Sequence, residues 1–90
     1  MKLNGTKQTN KELTMILMYL TQFSEYDKFV DEEHFYAWKG YNFGVLNELS
    51  EEKYINQGDH PSRTKKVFLT ANGQKYAKEL LAKYGINEQK

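Results

Sequence analysis

The stretch that decides the fold covers residues 42–73 and reads NFGVLNELSEEKYINQGDHPSRTKKVFLTANG. Apolar residues fall at helical spacing over residues 42–53, and two short β-prone runs, Tyr54–Ile55 and 66–69, then flank a polar loop. The loop contains Pro61, the only proline of the chain, which suits a hairpin tip because proline cannot donate a hydrogen bond to a strand ladder. This pattern predicts a helix followed by a β-hairpin with a long tip.

The helix in this stretch has a clear start signal. Asn42 is a favourable N-cap residue, so we expect the helix to run from Phe43 to about Glu52. Helical spacing directs three of its apolar side chains towards the core. These are Phe43, Leu46 and Leu49, whereas the residues expected to face outwards are Gly44, Asn47, Glu48 and Glu51.

A further helix follows the hairpin. Thr70 is its expected N-cap and Gly85 its expected end. Its inner face is expected to carry Gly73, Ala77, Leu80, Leu81 and Tyr84. Glycine costs roughly 1 kcal/mol of helix propensity, so we expect another backbone to approach closely at Gly73.

Upstream of the deciding stretch, Thr9 and Glu12 have the spacing of a capping box, which predicts a first helix beginning near Thr9. The apolar residues of this helix recur at helical spacing and are expected to form one stripe in the core. They are Leu13, Ile16, Leu17, Leu20 and, at the end, Phe23. The folded domain is expected to span residues 9–85, with residues 1–8 and 86–90 as flexible tails.

The segment between the first helix and the deciding stretch carries a compact set of helix signals. Residues 24–30 are expected to form a loop, Asp31 to cap a short helix over residues 32–39, and Gly40 to end it. Two helices joined by a short glycine-containing turn describe a helix-turn-helix. The predicted fold class is therefore α+β, mostly α, with the order α-α-α-β-β-α.

Two segments resemble known families. Leu49–Ile55, followed after the hairpin by Val67–Gly73, is similar to a signature of bacterial winged-helix regulators, although Lys53 stands where that signature usually has glycine. Trp38–Leu49 resembles more specifically a small, functionally uncharacterised bacterial family of stand-alone winged-helix proteins. The resemblance covers residues 11–85. It implies a winged helix-turn-helix fold and a candidate DNA-binding activity, without an operator or a ligand.

The formal net charge of +1 is unevenly distributed along the chain. Residues 60–78 carry basic side chains and no acid, whereas residues 25–36 carry several acids and one lysine. Only the basic region could meet phosphate, and the open alternative is that both regions are simply solvated surfaces.

The hairpin supplies one set of candidate DNA-binding residues. Arg63, Lys65 and Lys66 lie in the expected wing, where such side chains would neutralise phosphates of double-stranded DNA. The alternative is that this charged loop keeps an exposed edge strand from pairing with other chains.

The turn and the helix after it supply a second set. Asn42 and Asn47 could pair with adenine, and Lys39 and Tyr41 are candidates for contacts to the DNA backbone. The carboxylates of Glu48 and Glu51 lie on or near the same face and oppose binding to phosphates.

Aromatic residues are concentrated in the first half of the chain. Of the thirteen, eight lie between residues 23 and 43, which is more than a core of this size easily accommodates. Tyr26, Phe29 and Tyr36 are the candidates for a protein interface, with a second copy of the chain as the expected partner and another protein as the alternative. The remaining possibility is that most of these rings are core residues whose hydroxyl groups reach water.

Several classes of function find no support in the sequence. The chain has no cysteine, its two histidines, His34 and His60, lack the spacing of metal ligands, and no catalytic motif is found. We therefore expect no cofactor, no metal and no enzyme activity. The longest apolar run, Met15–Leu20, is too short to span a membrane, and the N-terminus lacks the apolar core of a secretory signal. A cytoplasmic protein is expected.

Two functions follow from these patterns. The first is a small DNA-binding protein of transcriptional-regulator type that uses the helix-turn-helix and the basic wing. The second is a winged-helix module for protein interaction or dimerisation that uses the aromatic and acidic surface and binds no DNA.

Overall fold

The structure is a computed structural model that describes residues 3–29, 31–58 and 65–87. In chain order, these residues form α1 (Leu3–Leu20), β1 (Phe23–Asp27), β2 (Glu32–Trp38), α2 (Phe43–Glu51), β3 (Ile55–Asn56), β4 (Lys66–Leu69) and α3 (Ala71–Lys83). The fold class α+β is confirmed.

The strands form one antiparallel sheet with the order β1-β2-β4-β3. Successive side chains of a strand point to opposite faces, and one face of this sheet is covered by helices. Its inward-facing side chains join the buried residues of the helices in a single core. The strand residues in that core are Ala37, Ile55, Val67 and Leu69. The opposite face of the sheet, called here the outer face, carries only half-buried or exposed side chains of β2 and β4.

Both predicted N-caps of the second half are confirmed. The Asn42 side chain accepts a hydrogen bond from the backbone N–H of Val45, and the Thr70 hydroxyl accepts one from Gly73. Leu46 and Leu49 are buried as expected, but Phe43 is exposed and the prediction that it belongs to the core was wrong. The buried face of α2 is centred on Val45, Leu46 and Leu49, so a side chain in the first turn lies beyond the edge of the core.

The close approach predicted at Gly73 is also confirmed. A Cβ atom built on Gly73 would lie 2.0 Å from the backbone oxygen of Tyr54. Thr70 holds the two segments together, because its hydroxyl donates to the backbone oxygens of Lys53 and Tyr54 at 2.7 and 3.0 Å. The chain entering β3 therefore crosses directly over the first turn of α3.

Lys53 ends α2 in the manner of a glycine. Its φ of 68° is in the left-handed region. The N–H of Lys53 donates to the Ser50 oxygen and that of Tyr54 to the Leu49 oxygen, which is the Schellman arrangement of a helix C-terminus. The absence of the usual glycine therefore leaves the end of the helix unchanged and adds backbone strain at Lys53.

The helix predicted over residues 32–39 was wrong. Residues Glu32–Trp38 form β2, paired on one side with β1 and on the other with β4. Asp31 has a φ of 55° and belongs to the turn between β1 and β2, so it does not cap a helix. The aromatic residues of this segment favour a pleated, half-buried surface, and pairing with two neighbours outweighs the local helix signals.

This correction changes the architecture. The observed order is α-β-β-α-β-β-α, which replaces the predicted order α-α-α-β-β-α. Residues 39–42, directly before α2, contain no helix, so the predicted helix-turn-helix is not formed. Residues 23–27, expected to end a helix and begin a loop, form β1 instead. At the N-terminus, α1 begins at Leu3 rather than near Thr9, so part of the expected tail is helical.

Candidate functional site

The first candidate surface is a row of exposed leucines on α1. The predicted core stripe of this helix was largely wrong. Leu13, Leu17 and Leu20 are between 45% and 48% exposed, and of the α1 residues expected in the stripe only Ile16 is buried. The face that does enter the core carries Met15, Ile16, Met18 and Tyr19. A helix with apolar side chains on two faces can bury only one of them in its own domain.

A groove runs between this leucine row and the start of α2. It is open to solvent, encloses about 710 Å³ and is walled by Leu13 and Leu17 on one side and by Tyr41 and Val45 on the other. Its rim is polar and carries both signs of charge. The rim side chains include those of Lys7, Asn10, Asn42 and Glu48, and the Lys7 ammonium lies 3.8 Å from the Glu48 carboxylate.

Two neighbouring charged residues hold α1 in its orientation. The buried Lys11 ammonium donates to both carboxylate oxygens of Glu52, at 3.0 and 3.1 Å, and so ties α1 to the end of α2. Burial by itself lowers the pKa of Lys11, but the hydrogen bond to Glu52 and its negative charge outweigh burial and raise that pKa. Lys11 is therefore a charged structural residue.

Glu12 makes the corresponding link to α3. It is 5% exposed and accepts hydrogen bonds from the Lys83 ammonium at 2.8 Å, the Tyr84 hydroxyl at 2.6 Å and the Gln8 amide at 2.8 Å. Burial raises the pKa of the Glu12 carboxyl, but these hydrogen bonds outweigh it and lower the pKa to about 2. Every strong acceptor position of the carboxylate is occupied from within the chain, which is typical of a structural acid rather than a catalytic one.

The second candidate surface is the aromatic outer face of the sheet. Tyr36 lies between two other rings, with centroids 6.2 Å from Phe23 and 5.9 Å from Phe68. Trp38 packs on Phe23 at 4.8 Å, and its strand partner is Lys66. The Lys66 ammonium lies 4.5 Å from the centre of the Tyr36 ring and forms an ion pair with Glu25. Other residues of this face include His34 and Asn56.

The predicted DNA-contact residues divide into separate groups. Lys39 lies beside Lys65, because the Lys39 N–H donates to the Lys65 oxygen at 2.8 Å, and Lys66 follows as the first residue of β4. Lys66 is engaged with Glu25 and Tyr36. Arg63 lies outside the described residues.

The asparagines expected to read bases have structural partners. Asn42 caps α2 through its side-chain oxygen. The Asn47 oxygen accepts a hydrogen bond from the Gln57 amide at 3.0 Å. Tyr41 packs against the core and lines the α1–α2 groove. Glu48 is turned towards α1, where it lies within 4.0 Å of both Lys7 and Lys11.

The residues expected to form a protein interface do come together. Tyr26, Phe29 and Tyr36 line one shallow hollow of about 450 Å³ near the β1–β2 turn, together with Glu25 and Lys28. Phe29 is 99% exposed. The leucine row and the α1–α2 groove were missed from the sequence. The available signal was the continuous apolar run at the end of α1, which surrounds the helix and exceeds what one buried face requires.

Two other kinds of site were sought in the described part of the chain. Among residues 3–29, 31–58 and 65–87 there is no group of three or more His, Cys, Asp or Glu side chains that could hold a metal ion. No helix within these ranges has the length and apolar character needed to cross a membrane.

The fold and these surfaces define a small α+β domain built on an antiparallel sheet. The chain belongs to the family described as a domain of unknown function (DUF6429), whose model matches residues 6–87. No curated protein and no solved structure matches the chain.

Proposed function

We propose that the protein is a small interaction domain that pairs with a second copy of itself through the leucine row and the α1–α2 groove. The observation that carries this proposal is the exposure of Leu13, Leu17 and Leu20 in a row along one helix. Contiguous apolar surface of this kind commonly belongs to an interface, because leaving it in water is unfavourable.

The arrangement of the leucines favours a second copy over an unrelated partner. Leu13 lies four residues before Leu17 and Leu20 three residues after it, so the row is nearly symmetric about Leu17. A two-fold axis beside Leu17 would place each Leu13 against Leu20 of the second copy, which is the self-complementarity that an isologous interface requires.

The size of the surface is consistent with a reversible dimer. At 1.5 Å per residue, α1 is about 27 Å long, which spans an interface of standard size. Burying the exposed half of one leucine contributes roughly 1 kcal/mol. The six leucines of a dimer, three from each copy, therefore contribute about 6 kcal/mol before the entropic cost of association. We therefore expect monomer and dimer to exchange as concentration changes.

Sedimentation velocity over a range of concentrations tests this function. The wild type is expected to shift from monomer to dimer, and Leu17→Glu to remain monomeric because two carboxylates would meet at the axis. Leu17 is half-exposed in the single chain, so this variant is expected to keep its fold, as far-UV circular dichroism would show.

Phe29→Ser is the matched control, because it removes an exposed apolar side chain from a different surface. Dissociation by Phe29→Ser with no effect of Leu17→Glu would move the interface to the β1–β2 turn. A wild type that stays monomeric at all concentrations would refute self-association.

DNA binding of transcriptional-regulator type is the second candidate, favoured by the contact that puts Lys39 beside Lys65 at the base of the hairpin. A winged-helix role here would use α2 and the β3–β4 hairpin without a helix between β2 and α2. Three phosphate contacts, for example from Arg63, Lys65 and Lys66, predict that log K falls with log salt at a slope near −2.7. Anisotropy of a labelled duplex at two salt concentrations measures that slope. The leucine interface, in contrast, is expected to persist as salt rises.

A further inference from the structure

The outer face of the sheet contains a small hollow that is separate from the α1–α2 groove. It encloses about 350 Å³ beside the β3–β4 pair, and its walls include His34, Tyr36, Asn56, Gln57, Lys66 and Phe68. The walls therefore combine aromatic rings, side-chain amides and one ammonium group. We infer that this hollow binds an unpaired nucleobase, stacked on the aromatic rings.

The rings are arranged so that they do not cover one another. Phe68 meets His34 at an interplanar angle of 59° and Tyr36 at 62°, with centroids 5.5 and 5.9 Å apart. Rings at these angles do not stack on one another, so their faces are not covered by each other. The Lys66 ammonium lies over the Tyr36 ring, so Phe68 and His34 offer the stacking surface. Aromatic side chains displayed on a sheet provide a platform for bases, because every base has a flat face that can stack.

Asn56, rather than Gln57, supplies the amide that a base can reach. Gln57 is only 6% exposed, and its Nε2 donates to Asn47 of α2, on the helix-covered side of the sheet. Its Oε1 atom is buried within the protein and is not exposed to a ligand in the hollow. The Asn56 side chain is exposed on the outer face, where its amide N–H groups can donate to the carbonyl oxygens of a nucleobase.

The charges around the hollow favour a base over a dense array of phosphates. Lys66 is the cation at its rim, and it already pairs with Glu25. Glu32 is also close, with its carboxylate 3.9 Å from His34. A phosphate would have to compete with Glu25 for Lys66, so stacking is expected to carry the binding. A duplex keeps its bases stacked on one another and cannot offer their faces.

Trp38 is a neighbouring reporter for this site, two residues beyond Tyr36 on the same face of β2. It is the only tryptophan of the chain, it is exposed on the outer face, and its strand partner is Lys66. Titration with an oligothymidylate at about 50 mM salt is expected to quench Trp38 fluorescence, with a weaker dependence on salt than a phosphate-dominated complex shows. A duplex of the same length is expected to have little effect. Thymidine monophosphate as a second probe distinguishes a free nucleotide from a base within a strand, and binding of either one supports the proposal.

Two variants with opposite expected effects make the test specific. Phe68→Leu removes a stacking ring and is expected to weaken binding roughly 5- to 100-fold. Glu25→Gln frees Lys66 and is expected to strengthen binding, a gain that unfolding cannot produce. Phe35→Leu is the matched control, because Phe35 lies in the same strand with its side chain on the opposite face.

Two results would overturn the proposal. One is the absence of binding by the oligothymidylate and by the mononucleotide at low salt, both in Trp38 fluorescence and in isothermal titration calorimetry. The other is equal binding of single strand and duplex together with unchanged affinity in Phe68→Leu and Glu25→Gln, which would indicate phosphate contacts elsewhere on the protein.

Discussion

Replacing Glu12 by Gln tests the buried carboxylate that joins α1 to α3. In the folded protein the pKa of Glu12 is about 2, compared with 4.5 for an unperturbed glutamate. Because the folded pKa is depressed, the charged form stabilises the fold fully above about pH 4.5, and this contribution is lost as pH falls towards 2. Glutamine keeps the shape and one acceptor oxygen of the side chain but removes the charge.

The expected magnitude follows from the size of the pKa shift. At 1.36 kcal/mol per pKa unit, the full shift corresponds to about 3 kcal/mol. The ammonium of Lys83 is more than half exposed, so solvent screens part of the interaction. We therefore expect Glu12→Gln to lower the free energy of unfolding by about 1–3 kcal/mol near neutral pH.

Urea unfolding of wild type and variant at several pH values measures this effect. The difference between the two proteins is expected to shrink as pH falls from about 4.5 towards 2, because the wild-type carboxyl then becomes protonated too. Glu79→Gln, on the exposed side of α3, is the control and is expected to show little change at any pH. A difference that is the same at neutral and acid pH, or one below about 0.5 kcal/mol throughout, would refute the reasoning.

Three further predictions concern packing and backbone geometry. Gly73→Ala is expected to destabilise the fold by roughly 1–3 kcal/mol, since its Cβ would collide with the Tyr54 oxygen; an unchanged or higher melting temperature would contradict this. Lys53→Gly is expected to stabilise by about 0.5–1 kcal/mol in urea unfolding, because glycine accepts a φ of 68° without strain, and a loss of stability would show that the Lys53 side chain matters more than its backbone. Leu46→Ala is expected to lower the free energy of unfolding by about 2–5 kcal/mol in the same measurement, because Leu46 is only 2% exposed. A change below about 0.5 kcal/mol would mean that Leu46 is not buried in the core.

The elements that the sequence predicted correctly are those with local signals. Asn42 and Thr70 cap helices through bonds to residues three positions away, and Gly85 ends the last helix with a positive φ. The pairing of Ile55 with Leu69 follows from a hairpin within one continuous stretch. In each case the interaction that selects the structure is encoded within a few residues or a single turn.

The elements that were mispredicted depend on partners distant in sequence. Residues 32–38 carry helix-like ends, but they form a strand because β4, about thirty residues later, supplies a second pairing edge. The orientation of α1 about its own axis also could not be predicted from the sequence. Its apolar residues at 15–20 surround the helix, so periodicity alone could not tell whether Leu17 or Met18 faces the core.

The candidate surfaces could be predicted from the sequence only in part. Tyr36 was identified because aromatic residues are crowded in the first half of the chain, and it does lie on an exposed sheet face. His34 and Phe68 could not have been assigned to the same hollow, since their proximity depends on the β2–β4 pairing that local signals concealed. The leucine row became visible only once the opposite side of α1 was known to be buried.

The ion pairs of Lys11 and Glu12 have a consequence for the uniqueness of the fold. A helix that is apolar on two sides has two competing packings of similar hydrophobic gain, which differ by a rotation about its own axis. Turning α1 to bury Leu13 and Leu17 would leave the Lys11–Glu52 and Glu12–Lys83 pairs without their partners, at a high cost for buried charges. Besides stabilising the fold, these contacts therefore select between two arrangements of α1. Removing both is expected to yield a chain that is still compact but divided between conformers, visible as doubled amide signals in an NMR spectrum.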